Sequence, residues 1–118
     1  MDKKQFLQAV SVQKLDLEKV SVIQGIYGFI PTEEIEKIIS ICEDPVFIDD
    51  KCRLLAYTEI QNAKEDLHVD FAAQKLLPLF DCFDNDFIVW HSDTQEWSLF
   101  NIIDRISFKY CSSLQELL

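Results

Sequence analysis

The chain has 118 residues, enough for one domain that buries about two-thirds of its unfolded surface without staples. Apolar residues make up 48%, which excludes a disordered chain, and no apolar run approaches the roughly 18–20 residues of a membrane helix. The formal net charge of −10 argues against nucleic acid and anionic lipid as direct partners. It favours fast encounter with a basic protein, although solubility alone accounts for many acidic surfaces.

Residues 1–24 are expected to form a helical N-terminal segment, with helix over about 3–22. Phe6, Leu7 and Val10 fall at helical spacing, as do Leu17 and Val20. The β-branched content around Val10–Val12 and Val20–Ile23 leaves room for two pieces, and Gly25 and Gly28 stop the region. The clearest helix follows Pro31. Thr32 can cap it, Glu33 and Glu34 suit its positive end, and Ile35, Ile38, Ile39 and Cys42 form one apolar stripe. Pro45 forbids its continuation.

Val46–Ile48 and Arg53–Tyr57 read as short strands around an Asp49-Asp50-Lys51 turn. Thr58 with Gln61 has capping-box spacing for a helix near Glu59–Leu67. Val69–Phe71 reads as extended. Leu77–Ile103 then holds both tryptophans, four of nine phenylalanines and five acids, with no Lys or Arg. Phe87–Trp90 has the continuous apolar run of a strand buried on both faces, and Trp97–Ile103 is its hairpin partner across a polar His91–Glu96 loop. Ser112 with Gln115, or Ser113 with Glu116, spaces a cap for a terminal helix carrying Leu114, Leu117 and Leu118. Hairpin-like connections without crossover helices predict an α+β single domain over residues 1–118, with an antiparallel sheet flanked by helices and a C-terminal helix.

Chemistry has few footholds. The cysteines, at 42, 52, 82 and 111, form no C-x-x-C pair. No uninterrupted apolar segment follows the charged N-terminal residues, so export is not expected. The thiols then read as reduced and packed as small hydrophobes in a cytoplasmic protein, with a disulfide or a spatially assembled metal site as alternatives. Asp81, Asp84 and Asp86 lack the spacing, glycine and terminal glutamate of a calcium loop. They read as a turn bonded to its own backbone or as a partner-facing acidic knob. His68 and His91 sit in no catalytic motif, and His91 reads as a plain surface residue. The expectation is therefore no metal, no cofactor and no enzyme. Trp90 and Trp97 read either as core or as a lip that anchors a partner.

The order of these features resembles the SUKH superfamily, named partly for a fungal glucan-synthesis regulator. The resemblance rests on Ile30-Pro31 before a helix, Arg53-Leu54-Leu55 before Thr58-Glu59-Ile60, Leu77-Pro78-Leu79-Phe80, the Asp/Asn turn, Phe87-Ile88-Val89-Trp90, Trp97, and Ser113-Leu114-Gln115-Glu116-Leu117-Leu118. It spans roughly 28–118. The chain departs from many members at Glu43-Asp44-Pro45, where they carry an Asn-Gly-type turn, and at Asp84-Asn85-Asp86, where they carry glycines. The resemblance implies a divergent member, an α+β domain that works as a protein-binding module. Bacterial members are similar to immunity proteins that neutralise polymorphic toxins, often nucleases, by stoichiometric binding; others look like regulatory interaction domains unrelated to toxins. On that expectation the partner is a basic toxin domain. The partner-binding residues are Asp81, Asp84, Asp86, Asp93 and Glu96 for steering, with Trp90 or Trp97 as anchor.

Overall fold

The N-terminal segment divides into two helices because it carries two starts. Asp2 caps α1 (Lys3–Ser11), its carboxylate accepting the Gln5 N–H at 2.7 Å while the Gln5 side chain accepts the Asp2 N–H at 2.9 Å. Asp16 caps α2 (Leu17–Tyr27), which ends at Gly28 with φ 67°. That left-handed position suits glycine, which has no Cβ to clash. Thr32 caps α3 (Glu33–Ile41) as its sequence requires, with Ile35, Ile38 and Ile39 buried in a stripe.

The computed structural model describes residues 1–118. Its frame is a six-stranded antiparallel sheet whose strands lie side by side in chain order. They are β1 (Val46–Ile48), β2 (Cys52–Leu54), β3 (Leu76–Asp81), β4 (Asp86–His91), β5 (Trp97–Asn101) and β6 (Ile106–Cys111). Successive residues of a strand face opposite sides, and the register sorts the core accordingly. Leu54 pairs with Phe80, Phe80 with Ile88, and Trp90 with Trp97, which places these side chains on one side. The helical N-terminal half covers it: Phe6 of α1 meets Phe80 edge-on at 5.6 Å, and Phe29 meets Trp90 at 5.6 Å. Phe87 and Phe100 pair on the other side, where Phe71 meets Phe100 at 5.6 Å. Both faces of β4 are thus covered, as its apolar run predicts.

Pro78 lies inside β3 rather than before it. It sits beyond the end of the short β2, whose pairing reaches only Asp81 and Phe80. It also falls where the β3–β4 register shifts, between Pro78 and Phe80, and such an irregularity tolerates a residue without an N–H.

Several expectations are corrected. The helix near Glu59–Leu67 is two short helices, α4 (Tyr57–Gln61) and α5 (Ala63–Leu67). Thr58 is not its cap: the chain turns at Ala56, and the Glu59 carboxylate accepts the Ala56 N–H at 2.9 Å. Val69–Phe71 joins no strand. The C-terminal helix is only a 3₁₀ turn, Leu114–Glu116, without a side-chain cap from Ser113. Its leucines hold it by burial instead, Leu114, Leu117 and Leu118 all being in the core. A segment this short cannot repay helix nucleation by propensity, so packing decides its form.

Candidate functional site

In an antiparallel meander the connections alternate between the two ends of the sheet. The turns β1–β2, β3–β4 and β5–β6 therefore share one end. These are the turns holding Asp49-Asp50-Lys51, Phe83-Asp84-Asn85 and Ile102–Arg105. With Asp81 and Asp86 flanking the middle turn, one rim gathers Asp49, Asp50, Asp81, Asp84, Asp86 and Asp104 against Lys51 and Arg105. Exposed Phe83 and Ile103 stand among them.

The rim is tied together by its backbone. The Ile102 N–H donates to the Asn85 carbonyl at 3.0 Å, joining the middle turn to the third. The Phe83 N–H donates to Asp81 Oδ1 at 2.8 Å, and Asn101 Oδ1 accepts the N–H groups of Ile103 and Asp104 at 3.0 and 2.9 Å. Asp49, Asp50, Phe83, Asp84, Asn85 and Arg105 all have positive φ. Asp and Asn tolerate that region through local hydrogen bonds. Phe83 has no such compensation, yet it is held at φ 66° with the residue 39% exposed.

The predicted binding residues do not converge. Asp81 is half-buried and 3.3 Å from Arg53, which also forks onto Glu59 at 2.7 and 2.8 Å. Asp86 accepts from Asn101 Nδ2 at 2.9 Å, and Asp84 stands exposed at the turn. Asp93 and Glu96 lie in the β4–β5 loop, at the opposite end of β4, roughly 17 Å away for six residues of strand. There Asp93 shares a groove of about 520 Å³ with Lys75, Tyr27 and Phe29.

Trp90 and Trp97 require a correction. Both are 2% exposed, opposed in register within the core, so neither is a lip that a partner can reach. The size of the indole decides this, since a central strand offers the largest buried area. His91 is also not a plain surface residue. It is half-buried, its Nε2 2.7 Å from Ser98 Oγ and its ring 5.1 Å from that of Tyr110. Burial lowers its pKa in spite of the nearby Asp93 and Glu96. Ser98 is fully buried, which leaves a substrate no approach to its hydroxyl.

No group of three or more His, Cys, Asp or Glu side chains converges as metal ligands would. All four cysteines are free thiols. No helix is long and apolar enough to cross a membrane. Sequence reasoning missed Asp49, Asp50, Asp104, Phe83 and Ile103 as companions of the Asp81–Asp86 turn. The signal was the strand count: with six strands in a meander, alternate turns must meet at one end.

No family model, curated protein or solved structure matches the chain.

Proposed function

We propose that this chain is a protein-binding module whose acidic rim docks a basic protein. The observation that carries the reading is the rim itself, six carboxylates from three neighbouring hairpins framing exposed Phe83 and Ile103. Carboxylates around an apolar centre give a partner both steering and a contact that excludes water. A bulky residue kept in left-handed backbone at a cost of about 1–3 kcal/mol supports a role beyond folding.

Together with the resemblance to the SUKH superfamily, this reading becomes an immunity protein that neutralises a cognate toxin by stoichiometric binding in the cytosol. A toxin that cleaves nucleic acid must hold phosphates in a basic cleft, and the rim is complementary to such a cleft. Asp49, Asp50, Asp84 and Asp104 are exposed and act by field, so their contribution is to association rate, whereas Asp81 is tied to Arg53 and Asp86 to Asn101.

The test is co-expression with the protein encoded by the adjacent open reading frame, scored as rescue of growth. Rescue by the native chain, lost with Asp50→Lys, Asp84→Lys and Asp104→Lys combined, is the expected result. Undiminished rescue by that variant would remove the rim from the reading. A neighbour that is harmless alone yet binds the native chain would favour a regulatory scaffold.

A further inference from the structure

Two of the three rim turns are bordered by a cysteine. Cys52 follows the first turn, and Cys82 precedes the second. We infer that Cys52 and Cys82 are an oxidative modification site, a thiol pair that a hydroperoxide closes into a cross-strand disulfide in the folded protein.

The register carries this inference. Arg53 pairs with Asp81 and Leu54 with Phe80, and the same register sets Cys52 opposite Cys82. The type of pair follows from one further bond. The Leu55 N–H donates to the Leu79 carbonyl at 2.9 Å, so that facing pair is hydrogen-bonded. Hydrogen-bonded and non-hydrogen-bonded pairs alternate along an antiparallel ladder. The 53/81 pair is then hydrogen-bonded and the 52/82 pair is not. Non-hydrogen-bonded positions bring Cα atoms to about 4.5 Å with side chains closest, inside the range a disulfide spans.

The remaining cysteines lack such a partner. Cys42 is buried on the helical side, its thiol donating to the Ile38 carbonyl at 3.0 Å. Cys111 ends the edge strand β6 and donates to the Ser113 carbonyl at 3.2 Å. Access also differs within the pair: Cys52 is fully buried and Cys82 only partly so. Cys82 is therefore the entry point.

The reaction balances as follows. The Cys82 sulfur attacks one peroxide oxygen, the O–O bond breaks, and the Cys82 proton leaves in water, giving a sulfenic acid. The Cys52 sulfur then attacks the Cys82 sulfur, and the expelled hydroxide takes the Cys52 proton as a second water. Two S–H bonds and one O–O bond break, and one S–S bond and two O–H bonds form. The thiols lose two electrons and the peroxide gains them. The neighbouring Cys52 thiol, and then burial, hold the Cys82 proton more tightly than in a free cysteine, which makes the first step slow. The product ties the β1–β2 hairpin to the β3–β4 hairpin and closes the chain across α4 and α5. It stiffens the rim whatever that rim binds, so the inference stands apart from the partner-binding reading.

The experiment treats the folded full chain with hydrogen peroxide, quenches it with an alkylating agent and maps the peptides by mass spectrometry. The expected result is loss of two hydrogen masses, a Cys52–Cys82 linked peptide, and a Tm raised by about 10 °C that dithiothreitol reverses. Cys42→Ser with Cys111→Ser should retain the link. Cys52→Ser should stop at a Cys82 sulfenic acid that dimedone traps. Because a substituted strand can misfold, the wild-type peptide map is the deciding measurement. Both thiols still alkylatable in the wild-type chain, oxygenated Cys82 beside a free Cys52, or Cys82 linked between two chains would each overturn the inference.

Discussion

Arg53 in β2 is forked onto Glu59 and reaches Asp81 with a third hydrogen bond. It holds the Glu59 carboxyl below the usual range, chiefly by its hydrogen bonds. A lowered folded-state pKa contributes stability that is full above the ordinary carboxylate range and lost as pH falls through the folded value. Arg53→Ala should cost about 1–3 kcal/mol in urea unfolding at neutral pH and less below the carboxylate range. His91 works in the same direction on its own scale of pH. Its folded pKa is lowered by burial, so folding favours the neutral ring, and that preference is lost as pH falls below the ordinary histidine value. His91→Gln should flatten the loss of stability between neutral and mildly acidic pH, read as urea midpoints. An unchanged pH profile would place the titration elsewhere. Trp90→Ala should lower stability by about 3–5 kcal/mol, while leaving association per folded molecule intact, because the ring packs on Phe29 and does not reach solvent.

The elements divide by where their specification lies. α3 was legible because cap, acidic first turn, apolar stripe and a following proline all agree. β4 was legible from a four-residue apolar run bounded by polar residues. α4, α5 and the C-terminal 3₁₀ turn were not, since each is too short for periodicity to have statistical weight, and each takes its form from what it packs against. The middle hairpin turn shows the opposite case, a local conformation that propensity opposes. Phe83→Gly should leave stability unchanged or raise it by up to about 1 kcal/mol by removing left-handed strain. The same change should weaken partner binding by removing the exposed ring. A stability loss without a binding loss would mark Phe83 as structural.

At the scale of the whole molecule the sum of charges matters less than their placement. A net charge of −10 spread evenly would attract basic partners and repel acidic ones with little preference of orientation. Gathering six of the carboxylates on one rim gives the field a direction. Asp50→Asn, Asp84→Asn and Asp104→Asn together should slow association several-fold at low salt and reduce its dependence on ionic strength, with dissociation little changed. Stopped-flow measurement across a salt series would check this. Equal slopes for the native and substituted chains would show that the rim does not steer. The same substitutions at Asp93 and Glu96, at the far end of β4, should have a smaller effect.

The amino-acid sequence by itself determined the α+β class, the antiparallel pairing and the presence of the aromatic hairpin, because these follow from local periodicity and turn residues. It also placed the acids in turns. Which acids share a surface was decided only by the tertiary structure. Asp84 and Asp93 are nine residues apart in the chain but lie at opposite ends of the sheet, whereas Asp50 and Asp104 are far apart in sequence and share one rim. The tryptophans likewise had two permitted places until the register set Trp90 against Trp97 beneath Phe29. Proximity across a sheet depends on strand order and register, which are set by how the whole apolar pattern packs.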